Sequence, residues 1–211
     1  MNKKTSRNIM IEREVYIQEY FNDYRKRLNQ LLDKVDINSL EMVISCIINV
    51  FKNNKTLYVC GNGGSAATAS HIQADFTFFV RYFTEFRPKV RALTDNVAFI
   101  TAIGNDISFN DIFIEQLKGQ FEKGDAIICI SASGNSENVI RAANFANENG
   151  GTSIAFVGFT GGKLLESAKI SLFTGNAKGD YGPIEDLHMI FDHLIVNYLS
   201  KNKEFLDIPK K

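Results

Sequence analysis

Short apolar runs alternate with amphipathic segments from about residue 56 to the end of the chain. Five runs have the length and composition of buried strands: TLYVC (56–60), VRAL (90–93), AIICI (126–130), SIAFV (153–157) and ISLFT (170–174). Apolar residues at helical spacing fill the intervals, near 66–80, 97–104, 110–118, 136–148 and 162–168, and IEDLHMIFDHLIVNYLS closes the pattern as a long helix. Apolar strands that alternate with helices are typical of a parallel sheet covered on both faces.

Two helices are predicted before the first strand. Apolar residues recur at helical spacing from about 12 to 35, and INSLEMVISCIINVFKNN predicts a second, more buried helix with Asn38 or Ser39 as its cap. Residues 1–11 are interpreted as a polar tail. No linker, repeat or low-complexity tract divides the rest. The sequence therefore predicts one domain over 12–205, an α/β/α sandwich with a five-stranded parallel sheet, and this domain includes the helical pair at 12–53.

Composition narrows the class of protein. The chain has 211 residues, of which 24 are Lys or Arg and 24 are Asp or Glu, so its formal net charge is zero. This balance gives no basic excess for nucleic acid, and no polybasic tract favours a membrane surface. No apolar run approaches the roughly 18–20 residues of a membrane-spanning helix. Three widely spaced cysteines (Cys46, Cys60 and Cys129) are best explained as reduced thiols, and we expect a cytoplasmic protein.

Two loops combine small residues, hydroxyls and glycine just before a predicted helix. GNGGS (61–65) follows the first strand and SASGNSEN (131–138) follows the third. Glycine allows positive φ angles, and the free N–H groups at a helix start attract anions. A capped turn would explain either loop alone, but two such loops at one edge of the sheet favour a phosphate site. Neither GxxxxGK[ST] nor GxGxxG follows the first strand, which argues against a nucleotide.

The three histidines lie in two helical segments. His71 and Asp75 are four residues apart and leave the same face of one helix. Glu185 and His193 are eight residues apart, about 80° around the axis, so they can converge on one point. Together these four offer a nitrogen and oxygen set for zinc or another divalent metal. The alternative is that each histidine is a surface or core group; this is favoured for His188, which points about 140° away from His193.

The two loops resemble the sugar isomerase (SIS) fold, a flavodoxin-like arrangement, and in particular the phosphoheptose isomerase family. The resemblance continues through TAIGNDISFNDIF (101–113), GFTGGKLLESA and IEDLHMIFDH and covers roughly 12–200. It implies an aldose–ketose isomerase that converts sedoheptulose 7-phosphate to D-glycero-D-manno-heptose 7-phosphate, for nucleotide-activated heptose and surface polysaccharide such as lipopolysaccharide or capsule. It also implies a homotetramer with active sites at subunit interfaces.

The resemblance assigns roles to individual residues. Asp75 is implied as the base and His193 as its partner at the sugar oxygens. One zinc or similar ion per subunit is implied on His71, Asp75, Glu185 and His193. The implied substrate contacts are Asn62, Gly63, Gly64, Ser65, Asn105, Asp106, Ser131, Ala132, Ser133, Ser136 and Glu185.

Several positions depart from the family pattern. Asp75 stands where the family has glutamate, and Glu185 where it has glutamine. Ala132 replaces a threonine, Gly182 replaces an aspartate, and 76–86 is about three residues longer, so Arg81 is only a provisional substrate contact. These departures leave two alternatives: an isomerase for another sugar or amino-sugar phosphate, and a sugar-phosphate-binding regulator without catalysis. The Asp75 and His193 pair argues against the regulator, which needs no acid–base groups.

Overall fold

The computed structural model describes the backbone of residues 3–83 and 87–206, with the side chains of 15–78, 87–202 and 204–206. Its sheet has five parallel strands: β1 (Thr56–Gly61), β2 (Lys89–Ala92), β3 (Ala126–Ser131), β4 (Thr152–Val157) and β5 (Ile170–Phe173). Their order is β2–β1–β3–β4–β5. The order reverses between β1 and β3, so the loops that follow these two strands flank the position where parallel sheets bind ligands.

Eight α-helices accompany the strands in the described chain: α1 (Lys3–Leu32), α2 (Ile37–Lys52), α3 (Gly64–Phe83), α4 (Val97–Asp106), α5 (Ile114–Leu117), α6 (Glu137–Glu148), α7 (Gly162–Ser167) and α8 (Tyr181–Lys201). Short 3₁₀ turns form at Phe109–Asp111 and Lys203–Leu206. Helix α1 begins at Lys3, so residues 3–11 of the predicted tail are helical; they contain neither Pro nor Gly, the two residues that most disfavour a helix. The predicted helix near 110–118 is reduced to α5, since the Ser108 hydroxyl accepts from the Asn110 N–H and caps a 3₁₀ turn there instead.

Each face of the sheet carries its own hydrophobic core. Successive strand residues point to opposite faces, so Val59 joins the core shared with α2, α3 and α8, whereas Cys60 joins the core beneath α5, α6 and α7. Cys60 and Cys129 are buried free thiols on neighbouring strands. The three-layer α/β/α architecture with a five-stranded parallel sheet is therefore confirmed. Within the described residues, no helix combines the length and apolar character needed to cross a membrane.

Helix α1 docks on the start of α8 through polar groups. The Tyr24 hydroxyl donates to Asp186 at 2.5 Å, and Arg27 pairs with Asp180. Burial, together with Asp186, raises the pKa of Tyr24 to about 12. Gly182 lies against the same tyrosine, and a Cβ atom there would lie 2.9 Å from its hydroxyl oxygen. Gly182 therefore leaves room for the Tyr24 side chain of α1.

Candidate active site

The loop between β1 and α3 depends on its glycines. A Cβ atom at Gly61 would lie 2.7 Å from the carbonyl oxygen of Ser65, and one at Gly64 would lie 2.5 Å from Glu185 Oε2. Gly63 has a φ of 55°, which L side chains rarely adopt. The loop thus brings the first turn of α3 against the carboxylate of Glu185. A negative charge at a helix N-terminus is electrostatically favourable.

The loop between β3 and α6 is held by its own serines. The Gly134 N–H donates to Ser131 Oγ at 3.1 Å, and the Asn135 N–H donates to Ser133 Oγ at 3.2 Å. Gly134 has a φ of 64° and packs so closely that a Cβ atom would lie 1.8 Å from the carbonyl oxygen of Gly161. Ser136 stands at the N-cap of α6, where its side chain makes no capping hydrogen bond. Its hydroxyl lies 3.5 Å from Ser131 Oγ, and the Val139 N–H is already bonded to Asn138 Oδ1. The N–H groups of Glu137 and Asn138 are therefore the ones at this helix start that suit an anion.

The two loops share one cleft. Asn62 and Asn138 exchange reciprocal side-chain hydrogen bonds of 2.9 Å, which join the first loop to the start of α6. The cleft has a volume of about 170 Å³ and is lined by Asn62, Ser65, Ile130, Ser131, Ala132, Ser133, Ser136, Tyr181 and Glu185. Tyr181 and Asn138 were not among the predicted contacts. Asn138 belongs to the SASGNSEN motif and could have been predicted from it. Tyr181 lies at the start of α8, and no sequence motif around it indicates a place in the cleft.

Two predicted substrate contacts lie elsewhere. Asn105 and Asp106 are exposed at the C-terminal end of α4, where Asn105 Nδ2 donates to Asp106 Oδ1 at 2.7 Å. Neither lines the cleft. The side chain of Arg81 lies outside the described side chains. Among the described residues, those that line the cleft therefore come from the two loops, the end of β3 and the start of α8.

Further along the same helices, two histidines and two aspartates converge. His71 and Asp75 come from α3, and Asp192 and His193 come from α8; one ligand atom of each lies within 4.8 Å of the others. His71 Nε2 is 3.1 Å from His193 Nε2, 3.4 Å from Asp75 Oδ2 and 3.8 Å from Asp192 Oδ2. Both histidines are exposed, while both aspartates are buried. We call these four residues the His/Asp group.

Glu185 does not join the His/Asp group. It lies eight residues before His193, a distance of about 12 Å along a helix, and faces Gly64 in the cleft. The predicted convergence of Glu185 with His193 is therefore not seen in the chain, and Asp192 takes the fourth place. Asp192 was not predicted from the sequence. It could have been noticed as a charged residue on the apolar face of α8, directly before His193.

Buried ionisable groups on α8 have shifted pKa values. Burial, and secondarily the charge of Asp75, raises the pKa of Asp192 to about 7. Burial lowers the pKa of His188 to about 3. His188 is 1% exposed and its ring packs on Phe156, so it is a core residue outside the His/Asp group. Its placement agrees with the structural role favoured from its helical direction.

The donor set of the His/Asp group suits a divalent metal. Two imidazole nitrogens and two carboxylates are ligands that zinc and similar borderline ions accept. Asp192 supports this fit, because neither of its buried oxygens has a hydrogen-bond partner among the described residues. The group can therefore hold a divalent ion next to a sugar-sized cleft.

Comparison with known proteins agrees with this architecture. Residues 19–158 match the family model of the SIS domain, so the chain belongs to the SIS domain family. Its relatives include phosphoheptose isomerases from Aliarcobacter butzleri, 40% identical over 158 residues (74% of this chain and 81% of the relative), and Campylobacter concisus, 37% identical over 160 residues (75% and 82%). Within the SIS class, the chain is a member of the phosphoheptose isomerase family.

A solved structure gives the same result. The phosphoheptose isomerase from Neisseria gonorrhoeae superposes with a TM-score of 0.79 at 28% identity, covering 89% of this chain and 98% of that one. The family resemblance inferred from the two loops is therefore confirmed.

Proposed function

We propose that this protein is an aldose–ketose isomerase that converts sedoheptulose 7-phosphate to D-glycero-D-manno-heptose 7-phosphate. The observation that carries the proposal is the placement of two sites on one pair of helices. A cleft lined by both loops lies at the start of α3 and α8, and the His/Asp group lies further along the same helices. Membership of the phosphoheptose isomerase family supports the same reaction.

The phosphate is proposed to bind at the start of α6. The hydroxyls of Ser133 and Ser136 and the free N–H groups of that helix favour an anion. Glu185 lies on the α3 side of the cleft, and its carboxylate would repel a phosphate placed there. Glu185 is therefore better suited to accept hydrogen bonds from sugar hydroxyls, which are uncharged donors.

The spacing of the two sites suits a seven-carbon chain. Six residues of α3 separate Ser65 in the cleft from His71, which is about 9 Å along the helix. An extended chain advances roughly 3.5 Å for every three bonds, so carbons 1 and 7 of the sugar lie roughly 7 Å apart. A heptulose that lies in the cleft beside Ser65 is therefore long enough for its carbonyl end to approach the His/Asp group.

The proposed chemistry is a pair of proton transfers. Asp75 removes a proton from carbon 1 of the ketose, which leaves an enediolate across carbons 1 and 2. His193 moves a proton between the two oxygens, and Asp75 returns its proton to carbon 2 to form the aldose. A carboxylate that acts as a base and an imidazole that serves both oxygens are ordinary acid–base partners. Asp75 is 9% exposed, which limits competition from water.

We also propose one zinc or similar divalent ion per subunit, held by His71, Asp75 and His193. When bound, such an ion polarises the sugar oxygens as a Lewis acid. Asp75 has two carboxylate oxygens and can therefore serve both as a ligand and as a base. His193 has two ring nitrogens, so one can bind the ion while the other carries the proton. Glu185 stays a predicted ligand from the sequence, although its position in the cleft favours a sugar contact.

A homotetramer with active sites at subunit interfaces is part of the proposal. Helix α1 carries Tyr16, Ile17, Tyr20 and Phe21 on its surface, each more than half exposed. A large exposed apolar face marks an association surface. Asn105 and Asp106 are then expected to contribute to the cleft of a neighbouring subunit. A cytoplasmic role in heptose supply for surface polysaccharide follows from the proposed substrate.

The test is incubation of the purified protein with ketose phosphates of five to seven carbons while aldose formation is followed. We expect turnover with sedoheptulose 7-phosphate and little with the shorter sugars. Turnover confined to another sugar phosphate, amino sugars included, would replace the substrate and keep the reaction class. Binding without turnover for every sugar would favour a sugar-phosphate-binding regulator and contradict the proposal.

A further inference from the structure

The carboxylate of Asp192 is in an unusual position for an ionisable group. Its side chain has no exposed surface, and neither oxygen has a hydrogen-bond partner among the described residues. A buried charge without hydrogen bonds or a counter-charge is strongly unfavourable. The neighbouring carboxylate of Asp75 makes ionisation still harder, because two like charges share one site. A cation at this position would remove both penalties.

The surrounding atoms have the spacing of a four-coordinate metal site. Zinc binds nitrogen and oxygen ligands at about 2.0–2.2 Å, so ligand atoms at the corners of a tetrahedron lie about 3.4 Å apart. His71 Nε2 lies 3.1, 3.4 and 3.8 Å from its three neighbours in the His/Asp group, the last being Asp192 Oδ2. All four ligand atoms lie within 4.8 Å of one another. Small side-chain movements are enough to enclose one ion.

We propose that Asp192 is the fourth metal ligand of this protein, and that it completes a set of two histidines and two carboxylates with His71, Asp75 and His193. The inference rests on the metal-dependent isomerase proposed above. It replaces the sequence-predicted ligand Glu185, which is left to the sugar. Two carboxylates and two neutral imidazoles balance the charge of a divalent ion, so the loaded site is electrically neutral. Such an ion can still expand to five ligands and take a sugar oxygen.

The test compares zinc binding by the metal-free full chain and two variants in competition with a chelator. Asp192→Asn keeps the shape of the side chain and removes its charge. Glu185→Gln makes the same chemical change on the same helix at a residue that lines the cleft. We expect Asp192→Asn to lower zinc affinity roughly 100-fold or more, since even residues that only support a ligand change affinity 10–100-fold. Glu185→Gln should bind zinc as the unmodified protein does.

A second measurement follows the coordination of the metal directly. Cobalt bound in place of zinc gives a visible spectrum whose intensity reports the number and arrangement of its ligands. We expect Asp192→Asn to change this spectrum and Glu185→Gln to leave it unchanged. The metal-free Asp192→Asn variant should be at least as stable to heat as the metal-free parent, because it no longer buries an unpaired carboxylate. Weaker zinc binding by a stable variant then reports the loss of a ligand.

Two results would overturn the assignment. One is unchanged zinc affinity and cobalt spectrum in Asp192→Asn, especially if Glu185→Gln loses both. The other is a parent protein that binds neither ion. Failure of the proposed function would be recognised separately. A protein that binds zinc through Asp192 but isomerises no sugar phosphate would contradict the proposed isomerase activity and still support Asp192 as a metal ligand.

Discussion

In the loop between β3 and α6, side-chain oxygens hold the backbone in place, whereas the buried face of α8 keeps its polar atoms without partners. Ser131 and Ser133 each accept a hydrogen bond from a backbone N–H two or three residues further on. On α8, buried side-chain atoms of His188, Asp192 and Ser200 have no hydrogen-bond partner among the described residues. The same chain therefore satisfies polar groups in one region and leaves them unsatisfied in another.

The difference fits the ligands proposed for the two regions. A phosphate is held by backbone N–H groups, which must be fixed beforehand to bind without a reorganisation cost. A metal instead needs free lone pairs, and a carboxylate already bonded to donors has fewer to offer. Buried unsatisfied atoms are rare in folded proteins and call for an explanation. On α8, the explanation for Asp192 is the neighbouring histidines.

The largest effect is expected from Asp75→Asn, which removes the proposed base from the His/Asp group and leaves the loop intact. Turnover of sedoheptulose 7-phosphate should fall by roughly 10²–10⁴, as is typical when a general base is lost. Affinity for the sugar phosphate should change little, because the serine loop is untouched. Steady-state kinetics at saturating zinc, together with calorimetry, measures both quantities. Full activity in this variant would exclude Asp75 from the mechanism.

Glutamate, the residue of the family pattern, can be introduced at position 75 to test the geometry of the His/Asp group. Asp75→Glu lengthens the side chain by one methylene and keeps its charge. Because a displacement of about 1 Å can lower a rate roughly 100-fold, we expect impaired turnover if the group is built around aspartate. Activity equal to or above that of the parent would show that the pocket accepts either length.

Gly134→Ala disrupts the other region of the comparison, the loop between β3 and α6. Alanine is disfavoured at a φ of 64°, and its Cβ would meet the carbonyl oxygen of Gly161. We expect the free energy of unfolding to fall by about 2–4 kcal/mol and sugar-phosphate affinity to fall at least tenfold, while zinc affinity is unchanged. Gly119→Ala is the matched control, since no atom lies within 4 Å of its added Cβ. Unchanged sugar-phosphate affinity in Gly134→Ala would place the phosphate elsewhere.

The smallest effect concerns acid stability. The pKa of His188 is about 3 in the folded protein and about 6.5 unfolded, so the unfolded state binds an extra proton between these values. Stability from His188 is complete above pH 6.5 and is lost as the pH falls, by about 2 kcal/mol between pH 7 and pH 5. Asp192 changes the stability in the opposite direction as the pH falls, because its pKa is raised to about 7 in the folded protein. Its buried proton favours the fold below that pH.

His188→Leu isolates the histidine from the aspartate. When the pH is lowered from 7 to 5, the parent should lose about 2 kcal/mol of unfolding free energy through His188, and the variant should not show this loss. Both proteins are compared in the metal-free form. Urea unfolding at the two pH values measures this difference. A variant and parent with the same pH dependence would show that His188 is not held neutral in the core.

Local chemistry made part of the site predictable. His71 and Asp75 share a helical turn, and SASGNSEN contains both the serines of the loop and Asn138. Their arrangement follows from short-range geometry. Asp192 was not predicted, because a charged residue within an apolar stripe gives no indication of its partner. Glu185 was placed with His193 by helical angle and by the family resemblance, and the angle ignores the 12 Å or so that separates the two residues along the axis.

The sequence by itself determined the parallel α/β sheet, its five strands, the two loops and the family, because strand and helix periods, glycines and helix caps act over a few residues. Only the tertiary structure decided how the groups combine. The packing of α3 along α8 sets Glu185 against Gly64 and Asp192 against His71, and the docking of α1 explains Gly182 through Tyr24. Which side chains meet across two helices depends on their relative rotation and offset, and those are fixed by the packing of the whole core.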